Sequence, residues 1–217
     1  MVTLTLALAV LSVAAAPVAA RDSSSAPRVV VLGDSLASGK GIGAAQAFPA
    51  VLQQRLDEAE LKYTVVNAGV ARDTSGDALR RLDAALRGDV RVLIVELGAN
   101  DGLRGVPVER LKSNLSSIIE TAQSRHIAVV LCAMEALPVH GWDYTVAFHQ
   151  AYLELAAKFD VPLVPFVLRN MIGNAEMMQP DMVHPNAAGA RAIADVIWPY
   201  LKPLVDVHTA VPHQSRR

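Results

Sequence analysis

The sequence predicts a three-layer α/β/α sandwich built around a parallel sheet. Two observations carry this: short apolar runs alternate with amphipathic segments of helical periodicity, and almost every apolar run is followed by a turn rich in Gly, Asp, Asn or Ser. The first apolar run is the clearest. Val29-Val30-Val31-Leu32 stops at Gly33-Asp34-Ser35, as a strand buried on both faces stops at a tight turn. Further strands are expected at Tyr63–Asn67, Val92–Leu97, Ala128–Cys132 and Pro162–Pro165. Helices are expected at Phe48–Glu60, Ser75–Leu86, Pro107–Ser124 and Tyr144–Phe159, with Asn186–Leu201 closing the chain. Pro107 suits the start of its helix, where a missing N–H is harmless.

The 217 residues form one domain, expected at 28–205, without internal repeats. Hydrophobic residues make up 52% and charged residues 19%, a globular composition. Lys and Arg number 20 against 21 Asp and Glu, which leaves no basic footprint for nucleic acid. Residues 1–20 carry no charge and end in small residues, Ala14-Ala15-Ala16-Pro17-Val18-Ala19-Ala20, as a signal segment cleaved near Ala16 or Ala20 would. A polar linker, 21–27, follows. We therefore expect export to the periplasm or beyond, with an uncleaved anchor as the alternative and no stable membrane association after cleavage. Residues 206–217 read as a flexible tail. The single cysteine, Cys132, lies in an apolar run and reads as a buried strand thiol.

In a parallel sheet, the loops after the strands share one edge, where open α/β folds place their sites. That edge receives Asp34-Ser35, then the segment 67–75, then Gly98-Ala99-Asn100-Asp101. Asp181 and His184 precede the last helix and must fold over the same edge. A serine hydroxyl becomes a useful nucleophile only when an imidazole accepts its proton, and a carboxylate on the other ring nitrogen fixes the tautomer. Ser35, His184 and Asp181 can supply those three parts. Donors for an oxyanion are available at the Asn100 carboxamide and at backbone N–H groups of Ser35 and the 69–72 loop. Asp34 reads as an orienter of the turn. Glu96, just inside a strand end, is expected to make an ordinary structural hydrogen bond.

Four blocks in order carry a resemblance: Gly33-Asp34-Ser35-Leu36; Val65-Val66-Asn67-Ala68 with Asp73-Thr74-Ser75; Glu96-Leu97-Gly98-Ala99-Asn100-Asp101-Gly102; and Asp181 with His184-Pro185-Asn186. In these the chain resembles the SGNH (GDSL) hydrolases, over about residues 28–205. The resemblance implies a flavodoxin-like sandwich with five parallel strands and a shallow site. It also implies an oxyanion hole from the Ser35 N–H, the Asn100 side chain and a glycine N–H of the second block. The glycine position is occupied by Arg72 in this chain, so the second donor falls on the Arg72 backbone, with Gly69 as the fallback. A non-glycine residue is strained there if the loop requires positive φ.

The expected activity is hydrolysis of a small-molecule ester or thioester (acyl thioester, lysophospholipid or aryl ester) through an acyl-enzyme, by a monomer. The alternatives are a short-acyl carbohydrate deacetylase or arylesterase, and a weakly active relative that binds acyl or glycan ligands. Leu137, Pro138, Trp142 and Tyr144 offer an apolar wall for the acyl or aryl group. No cofactor or metal is expected, because Cys and His do not pair at ligand spacing. Gly39-Lys40-Gly41-Ile42-Gly43 fits neither nucleotide-binding loop. It begins too far beyond its strand for a dinucleotide turn, and Gly41 stands where a phosphate loop needs a hydroxyl.

Overall fold

The structure is a computed structural model and describes residues 26–209, with side chains described to residue 206. The segment 1–20 expected as an export signal, and the end of the expected tail, lie outside the described residues. Five parallel strands form one sheet: β1 (Arg28–Gly33), β2 (Thr64–Gly69), β3 (Val90–Glu96), β4 (Ala128–Cys132) and β5 (Leu163–Val164), in the order β2-β1-β3-β4-β5. The continuous apolar runs occupy the middle. Val29–Leu32, Val92–Val95 and Val129–Cys132 are buried, as central strands covered by helices on both faces must be. β2 lies at one edge, half exposed, and the two-residue β5 at the other. The chain runs from β1 outward to β2 and returns to the far side of β1 as β3. The crevice between the ends of β1 and β3 is therefore the switch point of the sheet.

The helices follow the predicted alternation, with informative differences. α1 (Ser35–Ser38) is a single turn after β1, and α2 (Phe48–Glu58) follows a short 3₁₀ turn. The expected helix Ser75–Leu86 divides into α3 (Ser75–Arg80) and α4 (Leu82–Ala85) at Arg81, whose guanidinium is drawn toward the strand ends. α5 (Ala99–Arg104) was not expected. Gly98 and Gly105 bound it in left-handed conformation, with φ of 119° and 63°, and Gly102 lies inside it, a composition that reads as a loop. α6 (Val108–Ser124) and α7 (Trp142–Phe159) pack against each other. α8 (Ala187–Thr209) continues past the expected end at Leu201 and into the expected tail. Its apolar stripe carries on to buried Val205, and this packing outweighs the backbone bond lost at Pro203.

Among the described residues, no helix is long and apolar enough to cross a membrane. Cys132 is buried in β4.

Candidate active site

Register places the ends of three strands level: Gly33 pairs with Gly69 on one side and with Glu96 on the other. The chain leaves these ends as the nucleophile turn, the 70–73 loop and the Gly98–Asn100 turn. Glycine is required at Gly33 and Gly69 by close approach. A Cβ on Gly33 would lie 2.6 Å from both Ala37 Cβ and Glu96 Oε2, and one on Gly69 would lie 2.5 Å from the Ser38 backbone nitrogen. Their absence lets α1 sit directly on the sheet end with Ser35 as its first residue. Asp34 caps this turn, its Oδ1 accepting the Leu36 N–H at 3.0 Å.

The last segment folds back over the same edge. His184 Nε2 lies 3.1 Å from Ser35 Oγ, and its Nδ1 lies 2.7 Å from Asp181 Oδ2. Asp181 Oδ1 accepts the N–H groups of Val183 and His184, both at 3.0 Å, so the carboxylate is fixed within its own turn. Hydrogen bonds from the His184 backbone and ring, and from the Val183 backbone, hold the Asp181 carboxyl well below its ordinary range. Met182, at the crown of this turn, has φ of 54°, which makes the tight return that brings Asp181 under the ring.

Gln179 seats this segment, a contact that the sequence did not reveal. Its Nε2 donates to the Lys40 carbonyl at 2.7 Å and to the Pro185 carbonyl at 2.9 Å, tying the loop after α1 to the loop carrying His184. Gly41, at φ of 85°, passes against the Gln179 amide, where a side chain would collide. The glycines at 39–43 thus turn the chain under the catalytic loop.

Asn100 opens α5 close to the nucleophile turn. Its Nδ2 donates to Asp34 Oδ2 and to the Asp73 carbonyl, each at 3.0 Å. Arg72 adopts φ of 74°, so this position carries the backbone strain that a non-glycine residue brings to the left-handed region. Its carbonyl accepts from Arg104 Nη2 at 2.7 Å, and its side chain is exposed. Gly69, the fallback donor, is placed differently from Arg72. Its N–H is engaged by Asn67 Oδ1 at 2.9 Å, and it lies within β2 itself.

Arg81 is a second unforeseen organiser. Its guanidinium donates to Asp73 Oδ2 and the Ala68 carbonyl, both at 2.6 Å, and to the Gly33 carbonyl at 3.0 Å, joining two strand ends to the 70–73 loop. Asp101 is buried and accepts both the Ser75 N–H at 2.8 Å and its hydroxyl at 2.6 Å, fixing the start of α3 against α5. Glu96 departs from expectation. No hydrogen bond of ordinary geometry reaches either carboxyl oxygen, although the Asp34 and Ala37 backbone amides face the group and favour its charged form. Full burial, reinforced by the charge of Asp34, pushes its carboxyl well above the ordinary range. Burial likewise pushes Asp34 up to about 6, against hydrogen bonds from Leu36 and Asn100 that favour its ionised form.

The residues expected to form an acyl wall separate into two kinds. Leu137, Pro138 and Trp142 stand exposed beyond β4, Trp142 at 72%. Tyr144 is accounted for by packing. Its ring lies between His140 and Phe148, and its hydroxyl donates to the Val106 carbonyl at 2.8 Å. Among the described residues, no three His, Cys, Asp or Glu side chains are grouped as metal ligands.

The chain is similar to known proteins in both sequence and fold. Residues 31–192 match the model of the GDSL-like lipase/acylhydrolase family. The chain is 38% identical to esterase TesA of Pseudomonas aeruginosa over 85% of its own length and 92% of that protein. It is 36% identical to the thioesterase 1/protease 1/lysophospholipase L1 of Escherichia coli K12, over 85% and 88%. Among solved structures, the psychrotrophic esterase EstA of Pseudoalteromonas superposes with a TM-score of 0.77 at 29% identity, over 82% of this chain and 98% of that one. A family match spanning most of the chain, with level strand ends that deliver the first three sequence blocks to one edge and a last segment that folds back over it, makes this protein a member of the GDSL-like lipase/acylhydrolase family.

Proposed function

We propose that this family member, an ester hydrolase, works through an acyl-enzyme on Ser35, with His184 as general base and acid and Asp181 as its orienter. The observation that carries the proposal is the continuous relay from Ser35 Oγ to His184 Nε2 at 3.1 Å and from Nδ1 to Asp181 at 2.7 Å. With Nδ1–H donating to Asp181, Nε2 presents its lone pair to the serine hydroxyl. Ser35 attacks the substrate carbonyl as its proton passes to Nε2. The resulting imidazolium is stabilised by the Asp181 carboxylate, whose ionised form is favoured by hydrogen bonds from His184 and the Val183 backbone. His184 then returns the proton to the departing alcohol or thiol, and a water molecule repeats the sequence on the acyl-enzyme.

The developing oxyanion is received by the Ser35 and Arg72 N–H groups and the Asn100 carboxamide. The left-handed turn at Arg72 supports a donor role for its backbone in place of a glycine, and so supports an active enzyme over a ligand-binding relative. The exposed Leu137, Pro138 and Trp142 suit a shallow apolar wall that accepts acyl or aryl groups, in keeping with relatives named esterase and thioesterase/lysophospholipase. A short-acyl carbohydrate ester is the second reading. The uncharged first 20 residues support export to the periplasm or beyond.

The test is hydrolysis of p-nitrophenyl esters from acetyl to palmitoyl by the protein from Arg21 onward, beside Ser35→Ala. Turnover that disappears in Ser35→Ala, with stoichiometric labelling of the parent by a fluorophosphonate, is the expected result. Turnover that survives the substitution overturns the assignment of Ser35, and a folded parent that neither turns over nor labels overturns the enzyme reading. The acyl length preferred separates the long-chain reading from the short-acyl one.

A further inference from the structure

The Asn100 carboxamide has two N–H bonds, and both are already engaged: one by the buried Asp34 carboxylate and one by the Asp73 carbonyl, each at 3.0 Å. An oxyanion must therefore displace one partner. The two are unequal. Asp34 is anionic, fully buried, and anchored by the Leu36 N–H through its other oxygen. The Asp73 carbonyl is a neutral acceptor on the 70–73 loop, which also contains strained Arg72. Charge-assisted hydrogen bonds are roughly twice as strong as neutral ones, so the weaker partner yields.

We propose that Asp34 is a positioning residue that aims the Asn100 carboxamide, keeping one N–H bond throughout turnover while the oxyanion replaces the Asp73 carbonyl on the other. The retained bond fixes the side-chain rotamer and places the free N–H toward the space above Ser35. It also joins the nucleophile turn to the oxyanion donor: a single carboxylate caps α1 with Oδ1 and holds Asn100 with Oδ2. The same displacement frees the 70–73 loop, where the Arg72 N–H is the companion donor. This inference rests on the reading of Asn100 as an oxyanion donor.

Two substitutions separate the two duties of Asp34. Asp34→Ser keeps a hydroxyl able to cap the Leu36 N–H but is too short to hold Asn100. In Asp34→Asn, only one oxygen remains for two donors, so one of the two hydrogen bonds must be lost. The experiment is a double-mutant cycle on ester hydrolysis with Asp34→Ser, Asn100→Ala and the pair, repeated with Asp34→Asn in case the serine variant does not fold. Loss of aim lowers kcat on the order of 10²-fold with KM little changed. Asn100→Ala alone lowers kcat on the order of 10²–10³-fold. The expected result is that the Asp34 factor collapses to within about twofold once Asn100 is alanine. An Asp34 factor that persists at full size beside Asn100→Ala means that Asp34 acts through the α1 cap alone, and it overturns the proposal. Full activity in Asn100→Ala, with Ser35→Ala inactive, defeats the underlying assignment of Asn100 and leaves the Ser35 mechanism standing.

Discussion

Glu96 offers a stability experiment whose sign and slope follow from its surroundings. The side chain is completely buried between Gly33 and the nucleophile turn, no hydrogen bond of ordinary geometry reaches either oxygen, and the neighbouring Asp34 charge opposes ionisation. In the folded protein its proton is held well above the ordinary carboxyl range, whereas an unfolded chain releases it near pH 4.3. Between those limits, the native state binds one proton more than the unfolded state. Stability is therefore fully present below the unfolded value and is lost as pH rises toward the folded one, by about 1.4 kcal/mol per pH unit. Glu96→Gln keeps the shape and the neutral state and removes the slope. Asp34, pushed up to about 6, adds a slope of its own below that pH, but it is present in both proteins and cancels in the difference. The advantage of Glu96→Gln should thus grow as pH rises above the unfolded value. For a domain of this size, the gap in Tm should widen by about 3–5 °C per pH unit. Thermal or urea melts of the two proteins at pH 5, 6 and 7 measure it directly. Parallel curves with a constant offset would show that Glu96 takes up charge in the folded state without penalty, and the argument from burial would fail.

Three further outcomes are expected. Arg72→Gly relieves the left-handed strain at φ of 74°; it should raise stability by about 0.5–1 kcal/mol after the entropy of the added glycine is set against it, measurable as a higher Tm without loss of ester turnover. Asp181→Asn removes the acceptor that fixes the His184 tautomer and should lower kcat on the order of 10²–10⁴-fold with the fold retained, as steady-state kinetics beside circular dichroism would show. Cys132 is buried in β4 with its thiol pushed well up by burial, so a disulfide reagent should modify it only after denaturant is added; rapid reaction of the native protein would contradict the packing of that strand.

The sequence made the strand core legible because β1, β3 and β4 are continuous apolar runs, a pattern that needs no partner to be recognised. Asp181 and His184 were legible because the carboxylate and the ring are only three residues apart, and Ser35 because it ends the strongest strand. α5 was hidden by glycines that bound and interrupt it, a composition that weak helix propensity turns into a loop reading. Arg81 and Gln179 were hidden for another reason. Each acts through hydrogen bonds to backbone carbonyls far along the chain, and such carbonyls leave no trace in residue identity. The lack of ordinary hydrogen bonds at Glu96 was equally out of reach. Polarity at a strand end implies a hydrogen bond on average, and only the packing of α1 against Gly33 shows that none of ordinary geometry reaches the carboxyl oxygens.

The base and its carboxylate are preassembled within one turn, while the nucleophile belongs to a strand end 149 positions earlier. The Ser35–His184 relay therefore depends on long-range docking, the seating of the 178–186 segment on the loop after α1. Gln179 is the latch, and the Met178–Pro185 bridge and the Asn186 cap of α8 shape the piece that it fastens. Most of the sheet can persist when that segment lifts, since none of its hydrogen bonds builds the β2-β1-β3-β4 ladder. Catalytic competence in this molecule is thus a local property layered on a global one. The contacts that fasten the 178–186 segment over Ser35 are ones that the strand ladder beneath it does not share.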